Sequence, residues 1–102
     1  MADKTVEFVV YLDENSRKRH YHEAESGKIS FFAVQLEVKI NGEWKPVIRY
    51  DCAHNFAHVD KYDITGNQTK DALTMDFASA LTYGDLDINR NWMRYKTDFL
   101  KK

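Results

Sequence analysis

Ser30-Phe31-Phe32-Ala33-Val34-Gln35-Leu36-Glu37-Val38-Lys39-Ile40 alternates with period two: Phe32, Val34, Leu36, Val38 and Ile40 share one face, while Phe31, Ala33, Gln35, Glu37 and Lys39 share the other. Successive side chains of an extended chain point to opposite sides, so this is a strand with one buried face. Asn41-Gly42 follows, a pair tolerant of positive φ, and Glu43-Trp44-Lys45-Pro46-Val47-Ile48-Arg49-Tyr50 returns as the hairpin partner. A two-residue loop would set Val38 opposite Lys45 and Val34 opposite Arg49, with charges on the apolar face. A three-residue loop, Ile40-Asn41-Gly42 with Gly42 in a bulge, instead sets Val38 opposite Trp44, Val34 opposite Ile48 and Phe32 opposite Tyr50, and brings Glu37 to Lys45. Apolar matching favours the second register. Its outer face carries Gln35, Glu37, Lys45, Arg49 and Asp51. Pro46 has no N–H to give a ladder and marks a gap or an edge.

Upstream, Val6 to Leu12 is rich in strand formers and ends at the turn-like Asp13-Glu14-Asn15-Ser16. Residues 13–27 are polar almost throughout and read as a long, functional loop, interrupted at most by a short strand through Arg19 to Glu23. Downstream, Asp51 to Asn55 has turn composition, and Phe56 to Tyr62 reads as a further strand closed by Thr65-Gly66-Asn67. The period then changes. Phe77, Leu81, Gly84, Ile88, Trp92, Tyr95 and Phe99 recur every three or four residues, which predicts an α-helix over residues 75–99. Thr74 is the expected N-cap, Asp76 suits the positive end of the dipole, and Lys96, Lys101 and Lys102 suit the negative end. Gly84 within the stripe marks either a close approach of helix to sheet, the favoured reading, or a break between two helices.

These elements predict one α+β domain over residues 1–102, an antiparallel sheet of four or five strands with a C-terminal helix packed across one face. The expected core is Phe32, Val34, Leu36, Val38, Ile48, Phe77, Leu81, Ile88, Trp92 and Tyr95. The chain has 102 residues, 43% hydrophobic, with 4 Gly and 1 Pro. That composition supports a core and excludes a disordered or collagenous chain. The apolar runs are far shorter than the roughly 20 residues of a membrane span, so no membrane contact is expected. The start, Met-Ala-Asp-Lys-Thr, carries no secretory pattern, and the single cysteine, Cys52, forms no internal disulfide, so a cytoplasmic location is expected.

Net charge is -1, and it is evenly spread: residues 1–51 hold 8 basic and 9 acidic side chains, residues 52–102 hold 7 and 7. Proteins built to grip duplex nucleic acid are usually far more basic and one-sided, so duplex DNA is not an expected partner. Arg17-Lys18-Arg19-His20 with His22 is the one local concentration of positive charge. It suits contact with one or two phosphates, although such runs are most often simply solvated.

Chemistry-bearing residues crowd into residues 49–61, which hold Arg49, Asp51, His54, His58, Asp60 and Lys61 where a strand runs into a turn. The conservative reading assigns them to surface ion pairs and turn capping. The functional reading makes His54 a general base, His58 or His20 the acid, Asp51 the orienting carboxylate and Arg49 or Lys61 the clamp on a phosphate, with Arg19, His20 and His22 closing over the substrate. A metal is a weaker expectation and no cofactor is assigned. His54 and His58 are four apart, which suits a shared ion on a helix but sets them about 13 Å apart on a strand. His20 and His22, two apart, share a strand face about 7 Å apart. Cys52 reads as a small buried side chain rather than a nucleophile.

Arg49-Tyr50-Asp51-x-x-His54-x-Phe56-x-His58-x-Asp60, with Phe31-x-x-Val34-Gln35-Leu36-Glu37, Gly42-x-Trp44-x-Pro46-Val47 and Asn91-Trp92, resembles a family of small prokaryotic proteins of unknown function. More distantly, its Tyr-Asp and His spacing is similar to the TumE-like toxins of toxin-antitoxin pairs, although this chain has His58-Val59-Asp60 where the TumE-like pattern has a denser histidine pair. The resemblance implies a site around Asp51, His54 and His58 and no particular activity. Two functions follow as expectations: a binding or interaction module, with a protein partner, a second copy or short RNA as ligand, and, as the alternative, a nuclease-like hydrolase.

Overall fold

The computed structural model describes residues 2–101; Met1 and Lys102, the latter expected near the helix end, lie outside the described residues. The strands are β1 (Lys4–Asp13), β2 (Ser16–Glu25), β3 (Lys28–Ile40), β4 (Glu43–Asp51), β5 (His58–Tyr62) and β6 (Gln68–Ala72), and helix α1 (Phe77–Leu100) follows. They form an antiparallel meander in sequence order, β1-β2-β3-β4-β5-β6, with α1 packed on β3 and β4. The α+β class and the helix on one face are as expected. Among the described residues the strands number six, not four or five, because two weakly patterned segments join the sheet.

The first is the presumed loop of residues 13–27. It is β2, paired along its length with both β1 and β3, from Arg17 opposite Tyr11 and Glu37 to His22 opposite Val6 and Phe32. Its polar sequence, Ser-Arg-Lys-Arg-His-Tyr-His-Glu-Ala-Glu, hides a strand because backbone pairing on both sides needs no apolar side chains. The turns either side are short: Asp13 accepts a bond from the Asn15 amide (2.8 Å), and Ser26 and Gly27 take φ of 51° and 79°. The second segment is β6, five exposed residues on the edge. The strand expected from Phe56 begins at His58.

The β3–β4 register also differs from expectation. Asn41 and Gly42 both have positive φ, 52° and 82°, so the connection is a tight two-residue turn and Val38 stands opposite Lys45, not Trp44. The compensating irregularity lies one step further on, where Glu37 pairs with Pro46 and Leu36 with Ile48, leaving Val47 as the bulged residue. Beyond it Val34 meets Tyr50, so the apolar match is restored from the bulge rather than from the turn. A proline supplies no N–H, and β5 pairs with β4 only from Ile48 to Asp51, so the ladder loses little at Pro46. Lys45, tolerated at the end of the sheet, reaches Glu43 (3.0 Å), and Trp44 turns to the other face beneath the Arg17 guanidinium, 4.0 Å from its ring centre.

Phe32, Val34, Leu36, Val38, Ile48 and Tyr50 pack beneath Ala80, Leu81, Ile88 and Phe99 of α1, while Phe77, Trp92 and Tyr95 from the expected core are only half buried. The N-cap is Asp76 rather than Thr74: its carboxylate accepts from the Ser79 amide at 2.7 Å, and the Ser79 bonds hold its pKa below the usual carboxylate range. α1 runs unbroken through Gly84. A Cβ built there would lie 2.7 Å from Tyr50 Cγ, so Gly84 is where the helix crosses β4. Tyr50 and Tyr95 both donate to Asp87 Oδ2, at 2.6 and 2.7 Å, while Asn91 donates to its other oxygen at 2.8 Å.

Candidate functional site

Strand alternation sorts the polar residues of the sheet onto two faces. Lys18, His20 and His22 of β2 share the α1 side with Phe32, Val34 and Leu36; Arg17, Arg19, Gln35, Glu37, Arg49, Asp51, His58 and Asp60 share the side away from the helix. On that second side the structure builds a continuous polar chain across four strands. Arg17 Nε donates to Glu37 Oε1 (2.6 Å), Gln35 Nε2 donates to Glu37 Oε2 (2.6 Å), and Arg49 Nη1 donates to Gln35 Oε1 (3.3 Å). Arg49 Nε then bonds Asp51 Oδ2. Asp51 Oδ1 lies 2.6 Å from His58 Nε2, and Asp60 Oδ1 lies 3.3 Å from His58 Nδ1.

The chain is buried although α1 lies on the other side. Glu37, Asp51, His58 and Asp60 are 5%, 4%, 1% and 4% exposed. Part of the cover is local: the β4–β5 loop carries Phe56 and His54, whose ring centres lie 5.2 and 6.3 Å from that of His58. Burying four titratable groups is costly unless they are paired, and here Arg49 and His58 are the partners of Asp51, with Asp60 beside the far ring nitrogen of His58. Near the other end, Arg19 is half exposed, with its guanidinium 3.7 Å from Glu37. Beside it a cavity of about 300 Å³ is lined by Val9, Arg19, Tyr21, Ala33, Gln35 and Arg49 among others.

The expected site is therefore divided. Arg49, Asp51 and His58 come together as the sequence indicated, His54 stands exposed on the adjoining loop, and Arg19 joins them through Glu37. His20, His22 and Lys61 do not: Lys61 pairs with Ile48 on the helix side, and the two β2 histidines form a separate group there. In that group His20 Nδ1 faces Asp85 (3.1 Å), its Nε2 meets His22 Nδ1 (2.7 Å), and Lys18 Nζ reaches Asn89 (2.9 Å) and Asp85 (3.1 Å). Phe8 stacks on the His20 ring at 4.4 Å. Desolvation, followed by repulsion from His20 and Lys4, lowers the basicity of His22. Convergence of all four histidines failed because β2 pairs with β3 so that His20 and His22 share the face of Val34 and Phe32, whereas β5 pairs with β4 so that His58 shares the face of Asp51, away from the helix.

From the sequence Asp60 reads only as a surface ion-pair partner of Arg49, and Gln35, Glu37 and Arg17 read as outer-face or basic-run residues rather than as links. The signal was present in the parity of 35 and 37, 49 and 51, and 58 and 60, each pair two apart on one face. Cys52 is buried against Phe32, whose amide lies 3.4 Å from its sulfur, and burial pushes the thiol up, which fits the structural reading. No described helix is long and apolar enough to cross a membrane. No curated protein and no solved structure matches the chain. A family model, described as a domain of unknown function (DUF7718), matches residues 1–102, and the chain belongs to that family.

Proposed function

We propose that this chain is a binding module whose ligand-facing surface is the helix-free face of the sheet, with Arg19, Gln35 and Arg49 meeting an anionic ligand of about nucleotide size. The observation that carries this reading is the buried polar chain itself. A sheet face left uncovered by a helix would ordinarily keep its charges solvated, where pairing adds little. Here the charges are sequestered and cross-linked, and the chain opens beside a cavity of about 300 Å³ where Arg19 is half exposed. Rigid donors at the edge of a small concavity suit recognition of a phosphate or carboxylate, because guanidinium groups held by neighbours lose little freedom on binding. Tyr21 and Phe31, 5.9 Å apart edge to face, add an aromatic wall against which a base can pack.

The nuclease-like alternative draws less support. His58 is sealed between Asp51 and Asp60, and His20 and His22 lie across the sheet, which leaves His54 as the accessible imidazole of the segment. An acid–base pair needs two groups within reach of one substrate.

The test is a titration of isotope-labelled protein with adenosine monophosphate and, separately, with a short oligouridine. Amide shifts should centre on Tyr21, Ala33, Gln35 and Arg49, and Arg19→Gln should weaken binding roughly 3- to 10-fold without changing thermal stability, as expected for one charge-assisted contact. Shifts confined to the His20 and His22 face, or none with either probe, would reject the assignment.

A further inference from the structure

We propose that Asp51, His58 and Asp60 form a binding site for a divalent transition metal of the zinc or manganese kind. One ligand atom from each of the three lies within 4.8 Å of the others, and all three side chains are buried. Bonds of about 2.0–2.2 Å to a common ion place ligand atoms up to about 4.3 Å apart, so small side-chain rotations complete the set.

Proximity alone would not distinguish an ion site from a salt-bridged cluster. The distinguishing feature is alignment. Asp51 Oδ1, both ring nitrogens of His58 and Asp60 Oδ1 are fully buried, and none of them makes a hydrogen bond, although they lie 2.6 and 3.3 Å from one another. Imidazole hydrogens and lone pairs lie in the ring plane, so a neighbour this close but off that direction receives no bond from the ring. Groups that sit side by side without pointing at each other are arranged to converge on a third body. A proton on His58 would make an ion pair with both carboxylates at these distances, whereas a cation would take one ring nitrogen and both carboxylates as ligands and needs no alignment between imidazole and carboxylate.

Charge and supporting contacts agree. With His58 neutral, as a metal ligand must be, Arg49 offsets one of the two carboxylates and a buried negative charge remains for a cation to meet. Arg49 Nε holds Asp51 by Oδ2, which leaves Oδ1 facing His58 and fixes the carboxylate, as an outer partner does for a metal ligand. One imidazole with two carboxylates is a mixed donor set that suits zinc and manganese better than calcium or magnesium. Phe56 and the exposed His54 beside His58 place the site directly under the β4–β5 loop. This inference rests on the orphaned atoms and stands apart from anion binding near Arg19.

The experiment is calorimetric titration of chelator-treated protein with zinc chloride, repeated with His58→Gln, Asp60→Asn and His22→Gln, and paired with manganese line-broadening spectra. One zinc should bind per chain, His58→Gln and Asp60→Asn should each weaken it at least about tenfold, and His22→Gln should leave it unchanged. Manganese should broaden the amides of Tyr50 and Val59 first, a readout on the unsubstituted chain that holds even where a variant fails to fold. Absence of zinc heat and of broadening, or loss of binding in His22→Gln rather than His58→Gln, would overturn the site. Loss of zinc binding with nucleotide binding intact, or the reverse, separates the two assignments.

Discussion

Two residues of the core interface, Gly84 and Tyr50, show how closely helix and sheet approach. A methyl group at residue 84 would enter the Tyr50 ring, whose Cγ, Cβ and Cδ1 atoms lie 2.7 to 2.9 Å from the position of that Cβ. Alanine gains about 1 kcal/mol over glycine in a free helix, yet overpacking a tight contact costs about 1–3 kcal/mol. Gly84→Ala should therefore destabilise the protein in urea unfolding despite its better helix propensity, and a net gain would place the helix further from β4. The same tyrosine carries a pH signature. Burial first, and then the bond to Asp87, pushes the phenols of Tyr50 and Tyr95 well above their ordinary range. Their folded values exceed the unfolded value near pH 10, so their contribution is complete below about pH 10. Above it the unfolded chain releases phenolic protons that the native state keeps. Stability should fall there by up to about 1.4 kcal/mol per pH unit for each phenol, read from urea midpoints with tyrosinate absorbance, and Tyr50→Phe should flatten the slope.

Among the elements, the β3–β4 hairpin and α1 contribute most of the buried apolar surface. Leu36 is fully buried and Leu81 nearly so, and Leu36→Ala or Leu81→Ala should each cost about 2–5 kcal/mol in chemical denaturation. Trp44→Ala should cost less than either, because the observed register removes Trp44 from the core. Under the register expected from apolar matching its loss would have been among the largest. That expectation failed for an identifiable reason. It assumed an uninterrupted ladder after the turn, whereas the turn is tight and the extra residue is absorbed at Val47, beside the proline that had already weakened pairing. Strand β2 was obscured differently: its partners on both sides supply the hydrogen bonds, so its own sequence has no need of an apolar period.

Across the molecule, one face of the sheet carries the helix and the other carries the polar chain, and the margins differ from both. β6 is a short polar edge, whereas β1 leaves Phe8, Val9, Val10 and Tyr11 at 42%, 42%, 39% and 64% exposure beside its unpaired backbone. A long apolar edge is prone to pair with another chain, and a lysine there opposes it. Val9→Lys should raise the concentration at which the protein stays monodisperse in light scattering while leaving its melting temperature unchanged within error. Only this scale explains why His20 and His58 part company. They belong to strands three apart in the sheet, with β3 and β4 between them; His20 pairs with Val34 on the α1 side, whereas the β4–β5 register sets His58 opposite Asp51 on the side away from it.

The sequence by itself determined the central strand, the position though not the length of the turn at Asn41-Gly42, the single long helix with its closest approach at Gly84, and the grouping of Arg49, Asp51 and His58. Each depends on local periodicity, on φ tolerance, or on residues one strand turn apart, all of which can be read from neighbours in the chain. Tertiary structure alone decided the strand identity of residues 16–25, the bulge that sets the β3–β4 register, and the separation of the histidines into two groups. It also decided the recruitment of Glu37, Gln35 and Asp60 into one buried chain. Those outcomes depend on pairing between segments whose mutual register no local pattern encodes, and a shift of one residue would have turned every one of their side chains to the opposite face.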